Sequence, residues 1–320
     1  MARYIVRRVL WGVLMLALVT LVVFVIFYVF PTADPAQLRA GREATPAQVD
    51  AIRHSLGLDR PVYTQYWIYM RDIVLHFNFG YSYTSNTPVR ILILDRLPAT
   101  IWLVTGAAII WLLMGIPVGI ISAVKRRSLL DRTTMVTSLA FISAPVFWLG
   151  LVALYLFSQD VGKFPIFPGI GSYTDATTFQ AKVGSMILPW LVLAAASAAI
   201  YARYLRSSMI DVMSEDYIRT ARAKGLDERT VIMRHGVRSA ITPIVTLLGL
   251  DIGVLLAGNA ILTESVFNIP GVGRLVFTSI ETADLPVIQG VTLFGAFFII
   301  LFNLLVDIAY AYLDPRVRYQ

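Results

Sequence analysis

The chain has 320 residues, 57% of them hydrophobic and only 15% charged, with a formal net charge of +7. Its mean hydropathy of +0.70 excludes an ordinary soluble domain and marks an integral membrane protein. It contains no cysteine, which excludes disulfides, thiolate chemistry and cysteine-based metal sites.

A helix needs about 20 apolar residues to cross the hydrocarbon core of a bilayer. Six segments reach that length, at 9–30, 99–124, 133–158, 183–202, 239–263 and 285–306, and only the fifth carries a charge, Asp251. The period-2 alternation of a membrane barrel is absent, so the predicted fold class is an all-α polytopic membrane protein with six transmembrane helices. Arg3, Arg7 and Arg8 followed by an apolar run resemble a secretory signal, with small residues at Pro31, Thr32 and Ala33. The run of 22 residues exceeds the roughly 7–15 of a signal core, so a retained first helix is expected.

Six spans place both termini on one side. The N-in, C-in arrangement puts most of the Lys and Arg inside: the three N-terminal arginines, then Lys125, Arg126, Arg127 and Arg132, then eight between Arg203 and Arg238, then Arg316 and Arg318. The two short outer loops hold only Lys163, Lys182 and Arg274, as the positive-inside rule requires. The positives are dispersed by topology and not gathered with stacking aromatics, which gives no case for nucleic acid. The expected organisation is a cytoplasmic N-terminus and first span at 1–30 and an extracytoplasmic loop domain at 31–98. A five-helix core follows at 99–312, including a cytoplasmic loop at 203–238, and then a cytoplasmic tail at 313–320.

In the long outer loop, Thr45, Pro46 and Gln48 read as a capping box with proline at the first helical position, and Gly57 closes that helix. Beyond Pro61, the residues Tyr63, Tyr66, Trp67, Met70, Ile73, Val74 and Phe77 recur at helical spacing. Such an amphipathic helix either lies on the outer leaflet, where Tyr and Trp prefer to sit, or serves as a platform for an extracytoplasmic partner. Pro117, Pro145, Pro189 and Pro243 punctuate four spans, and each tends to kink its helix. Small residues line the fourth span from Ala194 to Ala199, and Gly249, Gly253 and Ala257 recur on the fifth, suiting close helix approach. Asp251 lies roughly 160° around the fifth helix from that small face. A carboxylate there serves either an ion or proton path or an interhelical hydrogen bond.

No phosphate-binding loop, H-E-x-x-H zinc pair or G-x-S-x-G elbow is present. His54, His76 and His235 read as lying in loops without forming a cluster. An enzyme is therefore not expected, and no metal site is expected.

The most informative polar stretch lies between the fourth and fifth spans. A helix is expected over 209–226, with Ile210, Met213, Tyr217 and Ala221 on one face and Glu215 paired with Arg219. Gly225 suits the left-handed position that ends a helix. Asp227 caps a second helix, with Leu226 stapled onto Val231. Basic residues on anionic lipid, at about 1 kcal/mol each, explain the charge of such a loop. They do not explain a sharply capped helix–turn–helix.

The run Glu215-Asp-Tyr-Ile-Arg-Thr-Ala-Arg-Ala-Lys-Gly-Leu226 resembles the coupling-loop ("EAA") motif of ABC importer permeases, in the form used by the dipeptide/oligopeptide/nickel branch. Further blocks extend the resemblance over nearly the whole chain: Gly57-Leu-Asp-Arg-Pro61 with Gln65 and Tyr66, Pro88-Val89, and Arg96-Leu-Pro98 with Thr100. Glu264-Ser-Val-Phe-Asn-Ile-Pro-Gly-Val-Gly-Arg274, Asp284-Leu-Pro-Val-Ile-Gln-Gly290 and Leu313-Asp-Pro315 continue it. The long first outer loop resembles that of the B-type subunit. Arg219, Thr220 and Ala221 stand where the general motif has Glu-Ala-Ala, and Asn78 stands where many relatives have aspartate.

The resemblance implies a type I ABC importer permease fold in a bacterial or archaeal cytoplasmic membrane. It implies a homologous C-type permease, two cytoplasmic ATPase subunits and an extracytoplasmic substrate-binding protein as partners. No cofactor is implied in this chain, since ATP and Mg would be held by the partner subunits. The implied coupling residues are Glu215, Tyr217, Arg219, Ala221, Arg222, Ala223, Lys224, Gly225 and Leu226. Asp251 is the candidate for the translocation path. Peptides are the implied cargo, with nickel or another small solute as the alternative. An ion-coupled secondary transporter using Asp251, or a membrane scaffold that binds a ligand without transport, are readings of other classes.

Overall fold

The computed structural model describes residues 2–30, 34–41 and 43–313. Pro31, Thr32, Ala33, Asp314, Pro315, Arg316, Arg318 and the expected tail beyond Leu313 lie outside the described residues. Helix α1 (Ala2–Phe24) runs on into a π turn, Val25–Val29. The outer loop folds into α2 (Pro35–Ala40), α3 (Pro46–Ser55) and α4 (Val62–His76). Then come α5 (Val89–Val124), α6 (Leu129–Ser143), α7 (Val146–Phe157), the short α8 (Ser172–Asp175) and α9 (Phe179–Met213). The segment after α9 supplies α10 (Asp216–Ala223), α11 (Glu228–Thr230), a π turn at Val231–Gly236 and α12 (Val237–Ala240). The chain closes with α13 (Thr242–Val254) and its π turn Leu255–Asn259, α14 (Ile261–Val266), α15 (Val272–Glu281) and α16 (Leu285–Leu313). Among the described residues, five helices are long and apolar enough to cross a membrane, and α6 with α7, a pair bent by 101°, gives a sixth when the two are counted as one span.

The four span prolines differ in effect because they sit at different helix positions. Pro145 breaks its span: Ala144 and Pro145 are both extended, with ψ 127 and 135. A residue before proline is driven out of the helical region, and proline cannot donate the next hydrogen bond. Pro117 and Pro189 lie inside helices that continue through them. Pro243 falls in the first turn of α13, where a missing N–H leaves nothing unsatisfied. The expected single fifth helix is interrupted instead at Gly258, whose φ is +104. The three histidines lie in helical segments and not in loops.

The described chain forms two compact units. The first comprises Met1–Thr100, Gly253–Ile261 and Pro270–Leu304. Its buried core is Val89 and Ile93 of α5, Val272 and Leu275 of α15, and Val287 and Val291 of α16. The buried Asp284 carboxylate, just before α16, accepts from the Ser82 hydroxyl, the Tyr83 N–H at 3.0 Å and the Thr84 hydroxyl at 2.8 Å. The buried Thr100 hydroxyl accepts from the Val272 N–H, 2.8 Å away, at the start of α15. In the outer loop the Thr45–Gln48 capping box forms as the sequence predicts. The aromatic residues of α4 divide. Tyr66 and Tyr69 pack on Phe24, with ring centroids 5.2 and 5.7 Å away, while Tyr63 and Trp67 are 78% and 70% exposed.

The second unit comprises Ile101–Ile252, Leu262–Ile269 and Leu305–Gln320. Here α5 and α9 approach backbone to backbone. A Cβ on Gly115 would come 2.9 Å from the Ala198 carbonyl oxygen, and one on Gly119 would come 2.8 Å from that of Ala202. The small residues of the fourth span therefore have a specific partner, a glycine pair on α5 spaced one turn apart. Gly184 on α9 has open space instead. The same Gly→Ala change should act with opposite sign at the two sites. Gly184→Ala should be neutral or stabilising by up to about 1 kcal/mol from backbone entropy. Gly119→Ala should destabilise by about 1–3 kcal/mol, because the new methyl meets backbone that cannot yield. Thermal unfolding of the purified chain in detergent micelles checks both, and equal midpoints would refute the close approach.

Candidate functional site

The segment between α9 and α12 is built from caps. Helix α9 stops at Ser214, whose hydroxyl turns back to the Asp211 carbonyl at 2.7 Å. Glu215 is extended, with φ −69 and ψ 151, and starts α10 as its N-cap. The helix expected over 209–226 is thus two helices. Ser214 and Glu215 break it because serine bonds its own backbone locally in competition with the helical ladder. The break changes which residues share a face. Ile218 and Ala221 are buried against Val231, with Met213 packed beside them, whereas Tyr217 is 45% exposed. The expected Glu215–Arg219 pair is replaced by Arg219–Asp216, at 3.4 Å and largely exposed.

Helix α10 ends in a Schellman motif. The Leu226 N–H reaches the Ala221 carbonyl at 3.4 Å, and the Gly225 N–H reaches that of Arg222 at 2.9 Å. Gly225 has φ +78, the left-handed conformation that glycine adopts without a Cβ penalty. The Asp227 carboxylate then accepts the Thr230 N–H at 3.0 Å, capping α11 as the sequence predicts. Leu226 is 42% exposed while Val231 is buried, so the staple expected between them leaves Leu226 facing outward.

One residue at this turn escaped the sequence reading. Glu228 holds Arg222 in a two-point fork across the turn, at 3.1 and 2.7 Å. The signal that could have revealed it is an acid six residues after an arginine with a tight turn between. Arg222 pulls the Glu228 carboxyl below its ordinary range, and bonds from Thr230 do the same for Asp227. From Arg222 to Arg229 every residue is exposed. The result is a tip in which Arg219, Arg222, Lys224 and Arg229 surround a turn capped on both sides by its own residues.

Two further sites lie behind the tip. Asp251 on α13, half-buried, accepts a hydrogen bond from the Tyr201 hydroxyl of α9 at 2.7 Å, and Tyr201 itself packs against the buried Trp111 ring, 5.8 Å away. The structure therefore supplies the interhelical partner for Asp251. Closer to the capped segment, Arg206 of α9 grips Asp131 of α6 through Nε at 2.6 Å and Nη2 at 2.9 Å. Neither Asp131 nor Arg206 carries a sequence signal, because their pairing spans 75 residues.

The sequence matches the family described as "Binding-protein-dependent transport system inner membrane component" over residues 115–319, and the N-terminal component of the same transport systems over 1–104. The chain belongs to this family of ABC importer permeases, of the dipeptide/oligopeptide/nickel type, and is an inner-membrane transport subunit and not an enzyme. It is 41% identical over 321 residues to the glutathione transport system permease protein GsiC of Escherichia coli (strain K12), covering 100% of both chains. It is 42% identical, at the same coverage, to the GsiC protein of Salmonella choleraesuis (strain SC-B67).

The Arg222–Glu228 fork has a definite pH dependence. A carboxyl with a lowered folded pKa stabilises the turn above its ordinary value of 4.5, and loses that contribution as pH falls through the folded value. For an exposed pair the effect is under about 1 kcal/mol. Glu228→Gln should speed amide hydrogen exchange across residues 225–230 by a fewfold near neutral pH. The difference from wild type should vanish in acid, and a difference that persists there would refute the fork.

Proposed function

We propose that this chain forms half of the translocation path of an ATP-driven importer for di- or oligopeptides, and that the turn at Gly225 seats in a groove on a separate ATPase subunit. The observation that carries this reading is the exposed, self-capped tip between α10 and α11 on a chain with no phosphate loop of its own. Energy from ATP must then arrive mechanically, and a knob with a fixed shape is what a groove can hold and move. In this reading Tyr217, Arg219, Arg222, Ala223, Lys224, Gly225 and Leu226 meet the ATPase. Glu215 sets the entry angle of α10, and the buried Ala221 supports the tip from behind. ATP binding and hydrolysis bias an equilibrium between outward- and inward-facing states. The partners are a homologous C-type permease, two ATPases and an extracytoplasmic binding protein that meets the loop domain at 31–98. The full-length similarity to a glutathione permease favours a peptide over a nickel chelate.

Gly225→Asp tests the seat directly. Aspartate is among the few residues that tolerate the left-handed region, and a Cβ at this position meets nothing within 4 Å, so the turn should persist. In liposomes holding the complete importer, this variant should lose substrate-stimulated ATPase activity and uptake by about tenfold or more, with assembly intact. Wild-type coupling in Gly225→Asp would refute the seat.

Family membership sets aside the ion-coupled secondary transporter, and the Tyr201 hydrogen bond supports a positional role for Asp251. Asp251→Asn keeps an acceptor for Tyr201 and should leave ATP-driven uptake within about threefold of wild type, the scale of one interhelical hydrogen bond. Uptake abolished by that change would favour a carboxylate acting in the path.

A further inference from the structure

The tip at Gly225 is useful only if its displacement reaches the spans, and the structure offers one strongly determined connection close behind it. Helix α9 is unbroken over 35 residues and ends immediately before the capped segment. Arg206 sits seven residues before Met213, about two turns from the end of α9. Its guanidinium takes both oxygens of Asp131, which is only 4% exposed. The same carboxylate accepts the Ser122 hydroxyl of α5 and the Arg127 N–H, the latter at 2.8 Å. Arg127 itself is held at φ +67, a conformation that side chains other than glycine and a few small polar residues rarely adopt. One carboxylate therefore ties together the end of α5, the strained turn after it, the start of α6 and the lower part of α9.

Such a site does little for net stability, because desolvating both charges offsets most of their attraction. Its effect is geometric: two parallel bonds fix rotation as well as distance, where one bond would leave a swivel. At its other end α6 stops at Ser143, followed by two extended residues and a 101° change of direction into α7. Helix α6 also packs along α9, so the fork fixes the register of that contact, while the interrupted ladder at Ala144 and Pro145 leaves a joint at which α6 can bend away from α7. The 15 residues of α6 make a lever about 22 Å long.

We propose that Asp131 and Arg206 are positioning residues that pass the movement of the coupling turn from α9 to α6, with the break at Ala144 and Pro145 as the pivot. This inference rests on the reading that the turn at Gly225 seats on an ATPase. In this scheme α9 delivers the displacement, the fork transfers it without slip, and α6 swings to alter access along the path. Arg206→Lys keeps the charge but loses the fork, so it separates geometry from electrostatics.

The test uses the complete importer in liposomes and reads solute moved per ATP hydrolysed, together with the KM for ATP and the yield of assembled complex. Asp131→Asn and Arg206→Lys should each lower solute moved per ATP by about tenfold, with hydrolysis continuing and the KM for ATP unchanged. Because this chain has no cysteine, the double variant D131C/R206C allows rescue. It should be uncoupled when reduced and regain coupling when bridged by a short bifunctional thiol reagent. A merely structural pair would lower assembly, or hydrolysis and uptake in proportion, with no gain on bridging; either result overturns the proposal. Should Asp131→Asn fail to assemble, Arg206→Lys decides the matter alone. If Gly225→Asp keeps normal coupling, the seat reading falls. If it uncouples while the fork variants do not, only the transfer through Asp131 and Arg206 falls.

Discussion

Backbone that enters lipid must satisfy its own hydrogen bonds, so irregular chain is tolerated only at the membrane's edges or under protein cover. Everything this subunit presents to its surroundings follows from that constraint. The spans are long helices with few polar side chains, and the segments that carry information lie where those helices end. At the inner edge the turn at Gly225 meets the constraint with local caps: a Schellman motif on one side, Asp227 on the other. A surface finished in this way keeps its shape when a partner pushes on it.

Three carboxylates, two buried and one half-buried, work as joints. Asp284 gathers the loop at Ser82, Tyr83 and Thr84. Asp251 links α13 to α9 through Tyr201. Asp131 links α5, α6 and α9. An apolar contact resists separation but lets helices slide, whereas a hydrogen-bonded carboxylate sets register. The pattern fits a machine whose helices keep fixed partners at a few points and slip elsewhere.

The sequence made the local features legible. The Thr45 capping box, the left-handed Gly225 and the Asp227 cap each depend on residues within a few positions, and each was readable from residue chemistry alone. The small face on the fourth span was visible too, although its partner on α5 was not. The sequence did not reveal where helices stop in competition with neighbours. Ser214 and Glu215 interrupt a continuous helical pattern, and Pro117 and Pro145 read alike although one is absorbed and the other breaks its span. Pairings across long separations, Arg206 with Asp131 and Tyr201 with Asp251, left no trace in spacing. Such contacts are decided by packing, which periodicity does not encode.

The bend between α6 and α7 bears on how the chain sits in the membrane. Their 15 and 12 residues span about 22 and 18 Å, each short of the roughly 30 Å hydrocarbon core. Between them the helical hydrogen-bond ladder is interrupted at Ala144 and Pro145. Left alone in lipid, this element would expose unsatisfied carbonyls at the joint. Cover comes from α9, which packs on both pieces and is synthesised after them. A helix pair broken in this way depends on a neighbour, here α9, to shield the backbone groups at its joint from lipid.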